Sequence, residues 1–99
     1  YFEFVRLARE AGITVPIIPG IKVLKNATQL VSVPKNFYID FPDQLVEEVT
    51  RDPKNVAAIG KEWATKQVAD LLARGAPCVH FYIMNDTGTI VDIVKKFQK

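Results

Sequence analysis

The residues best placed to do chemistry sit in one run, Cys78-Val79-His80-Phe81-Tyr82-Ile83-Met84-Asn85. A strand alternates its side chains with period two, so Val79, Phe81 and Ile83 make one wholly apolar face, expected under flanking helices. Cys78, His80, Tyr82 and Met84 make the other, with two hydrogen-bonding groups, an imidazole and a phenol, among them. Were this strand part of a parallel barrel, its second face would point inward and the members nearest its C-terminal end would reach the site-bearing rim. Tyr82, Met84 and Asn85 are then the ligand contacts and His80 lies one layer deeper. A plain core role for His80 and Tyr82, with their polar ends satisfied, is the competing reading.

Other chemistries find little support. Asp40, Asp43, Glu47 and Glu48 form an acidic run with no histidine or cysteine near in sequence, which reads as a solvated face and not as a metal site. The glycines form no phosphate-cradling motif, and no serine or cysteine nucleophile has a visible base. Thirteen basic against eleven acidic residues leave a formal charge of +2, with the basic residues scattered. Nucleic acid and membrane are therefore not expected partners. The lone cysteine, Cys78, cannot form an internal disulfide, which points to a cytoplasmic protein with a buried thiol.

The elements that must carry these residues follow from periodicity and punctuation. Residues 2–11 read as a surface helix with Phe4, Val5, Leu7 and Ala8 on its apolar face, ended by Gly12. Thr14-Val15-Pro16-Ile17-Ile18 reads as a short strand before the Pro19-Gly20 turn. Asn26 to Leu30 suggests one helical turn stopped by Pro34, with Lys35 to Phe41 as loop or short strand. Pro42 suits the first turn of a brief helix over 44–49. The clearest helix begins after Asp52-Pro53 and runs to Arg74 before Gly75, with Val56, Ile59, Trp63, Val68, Leu71 and Leu72 on one face. The run 78–84, bounded by Gly-Ala-Pro and Asn-Asp, reads as a strand buried on both faces, followed by a helix capped by Thr87 or Asp86 that carries Ile90, Ile93, Val94 and Phe97.

Strands separated by helices imply parallel pairing in the α/β class. Ninety-nine residues, 48% hydrophobic and 24% charged, suit one domain. Two strands cannot cover both faces of the 78–84 segment, and the chain opens on Tyr1 inside a helical pattern, so a truncated larger domain is expected, its missing strands supplied by the rest of a barrel or by another copy.

A family resemblance extends this reading. Val15-Pro16-Ile17-Ile18-Pro19-Gly20-Ile21, then Asn26 and Gln29, Gly60-x-Glu62-x-Ala64, Gly75-Ala76-Pro77 and His80-Phe81-Tyr82-Ile83-Met84-Asn85 resemble, in order and spacing, the C-terminal third of methylenetetrahydrofolate reductase. The resemblance implies a partial (β/α)8 TIM barrel in which this chain is the last two strand-helix units, with the helices at 54–74 and 88–97 in the outer ring. It implies a parent flavoprotein that holds FAD, takes a hydride from NAD(P)H and reduces 5,10-methylenetetrahydrofolate to 5-methyltetrahydrofolate, as a homo-oligomer or with the remainder of the barrel as partner. On that likeness Gln29 is a folate contact through its donor-acceptor amide, Tyr82, Met84 and Asn85 line the substrate or flavin, and His80 and Tyr82 are the candidates for cofactor contact. The family's proton-donating carboxylate and most of its flavin contacts lie on earlier strands, so no catalytic residue is assigned and the isolated 99 residues are expected to be inactive. Three departures stand out: Asp86 where many members have arginine, Lys61 where an aliphatic residue is usual, and Pro34 with Lys35 to Asp40 in place of a continuing helix. Two other readings are a half-barrel interaction module pairing through its strand edges, and a different barrel enzyme acting on another pterin or a corrinoid-linked methyl carrier.

Overall fold

A computed structural model describes residues 1–37, 40–83 and 87–98, except for the side chain of Phe37. Helix α1 (Phe2–Glu10) leads to strand β1 (Gly20–Ile21), then come α2 (Gln29–Phe37), α3 (Asp43–Arg51), a 3-10 turn at Pro53–Asn55, α4 (Val56–Ala73), strand β2 (His80–Phe81) and α5 (Gly88–Lys95). The strands pair in parallel with Gly20 opposite His80 and Ile21 opposite Phe81. This is a helix-rich α/β arrangement with a small parallel sheet, compatible with part of a barrel.

The strand expected at 14–18 is not one; the pairing begins only past Pro19. Pro16 has no N–H to give a ladder, and the carbonyls around it are already taken by side chains. Tyr1 donates its hydroxyl to the Ile17 carbonyl at 2.8 Å, and one Arg9 nitrogen donates to the carbonyls of Ile13 and Val15 at 2.7 and 3.0 Å. Pro19 still contributes its carbonyl, which accepts from His80 N–H at 2.9 Å, and Tyr82 N–H bonds Ile21 at 3.0 Å.

Both glycine stops expected from the sequence are present. Gly12 and Gly75 take φ of +89° and +95°. At the end of α4, Ala76 N–H reaches the Leu71 carbonyl and Gly75 N–H reaches Leu72, the paired bonds of a Schellman motif, and Ile13 and Gly12 repeat them on Ala8 and Arg9. Pro34, by contrast, does not stop α2, which continues through it to Phe37. Only one ladder bond is forfeited, and the strain of a proline beyond the first turn, about 3 kcal/mol, is borne by the surrounding packing. Pro42 stands at the N-cap of α3, one place before its expected position, and Asp52 caps the 3-10 turn, where its side chain accepts from Asn55 Nδ2 at 2.6 Å.

Helix α4 is the spine, and its two halves carry separate cores. Toward its C-terminal end, Ala64, Val68 and Leu71 pack with Ile21, Val23, Ile90 and Ile93, covered by Phe2, Val79, Phe81 and Phe97. Toward its N-terminal end, Val56 packs with Leu24, Leu45 and Val49, flanked by Leu30, Phe41, Ile59 and Trp63. The buried line is Val56, Gly60, Ala64, Val68 and Leu71; Leu72, expected inside, is 41% exposed. Small residues at 60 and 64 let the β1 connection lie directly on the helix, which rotates the buried face away from Leu72. A Cβ on Gly60 would stand 2.0 Å from the Leu24 carbonyl oxygen.

The apolar face expected of α1 is also displaced. Ala8 is buried and Phe2 packs on the core beneath the Arg74 guanidinium, 4.0 Å above its ring. Phe4 and Leu7 are exposed, because among the described residues no element covers them. The same reason corrects the strand at 78–84. Val79 and Phe81 reach the core, but Cys78, His80, Tyr82 and Ile83 are exposed, and Cys78 is thus no buried thiol. Among the described residues β2 has one neighbouring strand, which leaves His80 and Tyr82 largely uncovered.

Lys61 at the start of α4 and Asp92 of α5 join the two helices through a 2.9 Å ion pair. The Lys61 ammonium, with Lys95 and Lys96 further off, holds the Asp92 carboxyl below its usual range. A depressed native pKa stabilises the fold above the unfolded pKa and loses that contribution as pH falls through the native one. Comparing wild type with Asp92→Asn by urea unfolding, we expect a small difference at pH 7 that disappears in acid and shrinks in high salt, as an exposed pair requires. A difference that persists unchanged at the lowest pH would show that packing and not charge is being measured.

Candidate functional site

Parallel strands place their ligands at the carboxyl ends, and here both strands end beside one cleft of about 550 Å³. The chain leaving β1 supplies Lys22, Val23 and Leu24, α2 supplies Gln29 and Val33, and the approach to α3 supplies Asp40, Phe41 and Pro42. Helix α4 forms the facing wall with Gly60, Trp63, Ala64 and Gln67, and Tyr82 closes the side nearest the sheet. The lining is predominantly apolar and aromatic with a few amide and charged groups at its margin, the usual make-up of a site for a flat organic ligand.

Gln29 owes its position to local chain chemistry. Its Oε1 accepts the backbone N–H groups of Lys25 at 2.6 Å and Asn26 at 3.3 Å, while Asn26 Oδ1 accepts from the Gln29 backbone N–H at 3.2 Å and from the Thr28 hydroxyl at 2.5 Å. This is the reciprocal arrangement of a capping box, with Asn26 ahead of the first turn and Gln29 three residues on. Its carbonyl end is committed to the loop; among the described residues the amide nitrogen has no protein acceptor, so the donor end is the one left for a ligand.

Tyr82 follows β2 directly and lies across Gly20, where a Cβ would come within 2.5 Å of the ring. Glycine at this position is what lets the phenol approach the sheet. His80 meets Tyr82 edge to face with ring centroids 4.8 Å apart, yet it does not line the cleft. The structure therefore brings Gln29 and Tyr82 into one site and leaves His80 behind Tyr82. Met84 and Asn85, like Asp86, lie outside the described residues.

Two contributors went unread in the sequence. Trp63 reads there as one more apolar member of a helical face, and nothing in the periodicity singles out Gln67 one turn later. The available signal was the pair itself, an indole and an amide four residues apart on a helix whose other apolar positions are aliphatic. Glu48 also departs from the expected solvated run. Asp40, Asp43 and Glu47 are exposed, but Glu48 is half-buried and its carboxylate accepts the indole N–H of Trp63 across the α3–α4 contact. Nearby, Glu62 foremost, with a smaller push from Glu48, raises the Lys66 ammonium above its ordinary range.

Among the described residues, no group of three or more histidine, cysteine, aspartate or glutamate side chains is placed to hold a metal ion, and no helix is long and apolar enough to cross a membrane.

Comparison with known proteins covers nearly the whole chain. A sequence profile described as "Methylenetetrahydrofolate reductase" matches residues 1–98. A Caenorhabditis elegans protein named "Probable methylenetetrahydrofolate reductase (NADPH)" is 34% identical over 97 residues, covering 94% of this chain and 15% of the relative. An Arabidopsis thaliana protein named "Methylenetetrahydrofolate reductase (NADH) 1" is 27% identical over 97 residues, covering 95% of the chain and 16% of the relative. A rice protein, "Probable methylenetetrahydrofolate reductase (NADH)" from Oryza sativa subsp. japonica, is 27% identical over 88 residues, or 86% of the chain and 15% of the relative. The chain thus spans about 15% of the length of the curated relatives it matches.

Proposed function

This chain belongs to the methylenetetrahydrofolate reductase family, and from that premise we propose that it forms one wall of the folate site in a longer parent reductase. The parent is a cytoplasmic flavoprotein that transfers a hydride from NAD(P)H by way of FAD to 5,10-methylenetetrahydrofolate. Within it these residues are the closing strand-helix units of a TIM barrel, and the 99 residues on their own are inactive. The observation that carries the reading is the meeting of Gln29 and Tyr82 in one cleft at the carboxyl ends of two parallel strands.

The cleft suits a pterin. Phe41, Trp63 and Tyr82 offer aromatic surface for a flat ring, and the Gln29 amide offers a donor to one of the ring's heteroatoms. The same aromatic surface fits the isoalloxazine ring of a flavin, and Tyr82 is the residue of this chain nearest the sheet from which to touch it. When bound, FAD supplies a two-electron carrier that accepts and delivers hydride. What this chain's residues do is bind and orient: Gln29 holds a polar edge, and the apolar walls strip water from the ring faces. The partner this reading calls for is the remainder of the barrel or a second copy in a homo-oligomer.

The test is Gln29→Ala in the full-length parent. Loss of a buried donor to a bound heteroatom is worth about 1–3 kcal/mol, or roughly 5- to 150-fold. The expected outcome is a rise of that size in KM for methylenetetrahydrofolate, with flavin reduction by NAD(P)H unchanged when folate is absent. Because Gln29 also caps α2, Gln29→Glu keeps the carbonyl acceptor for Lys25 and Asn26 and isolates the lost donor. If folate KM stays put in both variants, or if the two half-reactions fall together, Gln29 is not a folate residue.

A further inference from the structure

We infer that Trp63 is a substrate-positioning residue of this cleft, an aromatic platform for the flat ring of the ligand, and that Glu48 sets its orientation. The inference rests on the folate-site reading and adds to it a wall that sequence patterning does not mark. Trp63 is the only tryptophan of the chain, and it lines the cleft from α4 while its ring edge packs into the core beneath. The side chain is partly buried, packed against that core and also lining the cleft.

The indole N–H is not available to a ligand, since the Glu48 carboxylate accepts it. A hydrogen bond to an ionised acceptor is among the stronger ones available to a side chain. It ties α3 to α4 and holds the ring at one tilt, so that what remains for the ligand is a π face and not a donor. Gly60, one turn earlier, lies against the Leu24 backbone, which lets α4 approach the chain leaving β1, and Gly60, Leu24 and Trp63 all line the cleft. The chemistry selected is that of a planar conjugated heterocycle, whose polar edge meets Gln29 while a face meets Trp63. Stacking on an aromatic side chain contributes on the order of tenfold or more in affinity per ring.

Four variants of the full-length parent test this, with KM for methylenetetrahydrofolate, KM for NAD(P)H and the thermal unfolding midpoint measured for each. Trp63→Leu is expected to raise folate KM by about tenfold and to leave the nicotinamide KM where it was. Trp63→Phe, which keeps a π face but loses the N–H, is expected to recover most of that loss. Glu48→Ala frees the ring and is expected to cost about threefold in folate KM, and Glu48→Gln, whose amide oxygen still accepts the indole N–H, less. A lowered midpoint with folate KM unchanged in Trp63→Leu, Trp63→Phe and Glu48→Ala alike overturns the inference and leaves Trp63 as packing. Gln29→Ala in parallel separates the two claims: if it raises folate KM while the Trp63 variants do not, only the platform is wrong. If neither moves it, the folate site itself lies elsewhere and both readings fall.

Discussion

Replacing Gly60 by alanine is expected to destabilise the protein by at least about 2 kcal/mol, although alanine is the better helix former. The intrinsic preference of a helix interior for alanine over glycine is worth about 1 kcal/mol in favour of the variant. Against it stands a Cβ placed 2.0 Å from the Leu24 carbonyl oxygen and 2.9 Å from its carbon. These are backbone atoms, and no rotamer change can clear them. Either α4 moves outward or the chain after β1 does, and both movements open the core that Leu24 shares with Leu45, Val49 and Val56. Overpacking of a tight contact costs about 1–3 kcal/mol when side chains absorb it and more when the backbone must shift. The same displacement pulls apart two walls of the cleft, so under the proposed folate-site reading ligand affinity should fall along with the unfolding midpoint. A Gly60→Ala protein as stable as wild type would mean that the close approach of α4 to Leu24 is not present in solution.

The second large effect is expected at Ile93. Its side chain has no exposed surface, and it meets residues from α4 and the chain around β1 in the larger core. Truncation to alanine removes the apolar contacts and leaves a cavity whose walls come from three elements, which can collapse only partly. Changes of this kind cost about 2–5 kcal/mol. Val91, two residues earlier on α5, is 44% exposed, and Val91→Ala is the matched control, expected within about 0.5 kcal/mol of wild type. Chemical denaturation of both variants decides the matter. Equal, small changes would show that α5 is not docked as described, whereas a loss confined to Ile93→Ala supports the packing of α5 against the sheet and α4.

These two positions also show which parts of the molecule can be read one dimension at a time. Ile93 belongs to a helical stripe with Ile90, Val94 and Phe97, and period alone identifies it. The glycine stops at 12 and 75, the long helix after Asp52-Pro53 and the parallel character of the two strands are local or pairwise consequences of residue type, and all are present in the structure. So is the family, because the blocks around Ile17 to Ile21 and His80 to Asn85 keep their order and spacing.

What depended on neighbours could not be read this way. Residues 14–18 have the composition of a strand, but a strand requires a ladder, and the side chains of Tyr1 and Arg9 already occupy carbonyls that would form one. Helix α2 passes Pro34 because the cost of one missing bond is local while the packing of Val33 and Leu30 that offsets it is not. The exposure of Phe4, Leu7, Cys78 and Tyr82 reflects the surface available to cover them, a property of the whole assembly and of no single residue.

The site divides along the same line. Gln29 and Tyr82 are identifiable from motif and alternation, since each is placed by chain chemistry within a few residues of itself: a capping box in one case, the end of a strand in the other. Trp63 and Glu48 are not, because their partnership joins two helices through a hydrogen bond between residues fifteen apart in the chain. Periodicity assigns a residue to a face of its own helix, but the facing element comes from the packing of α3 on α4. Residue types along the chain are sufficient for the family, for the long helix α4 and the glycine stops, and for one edge of the cleft; the opposite wall exists only once a missing Cβ at Gly60 has let two segments of backbone touch.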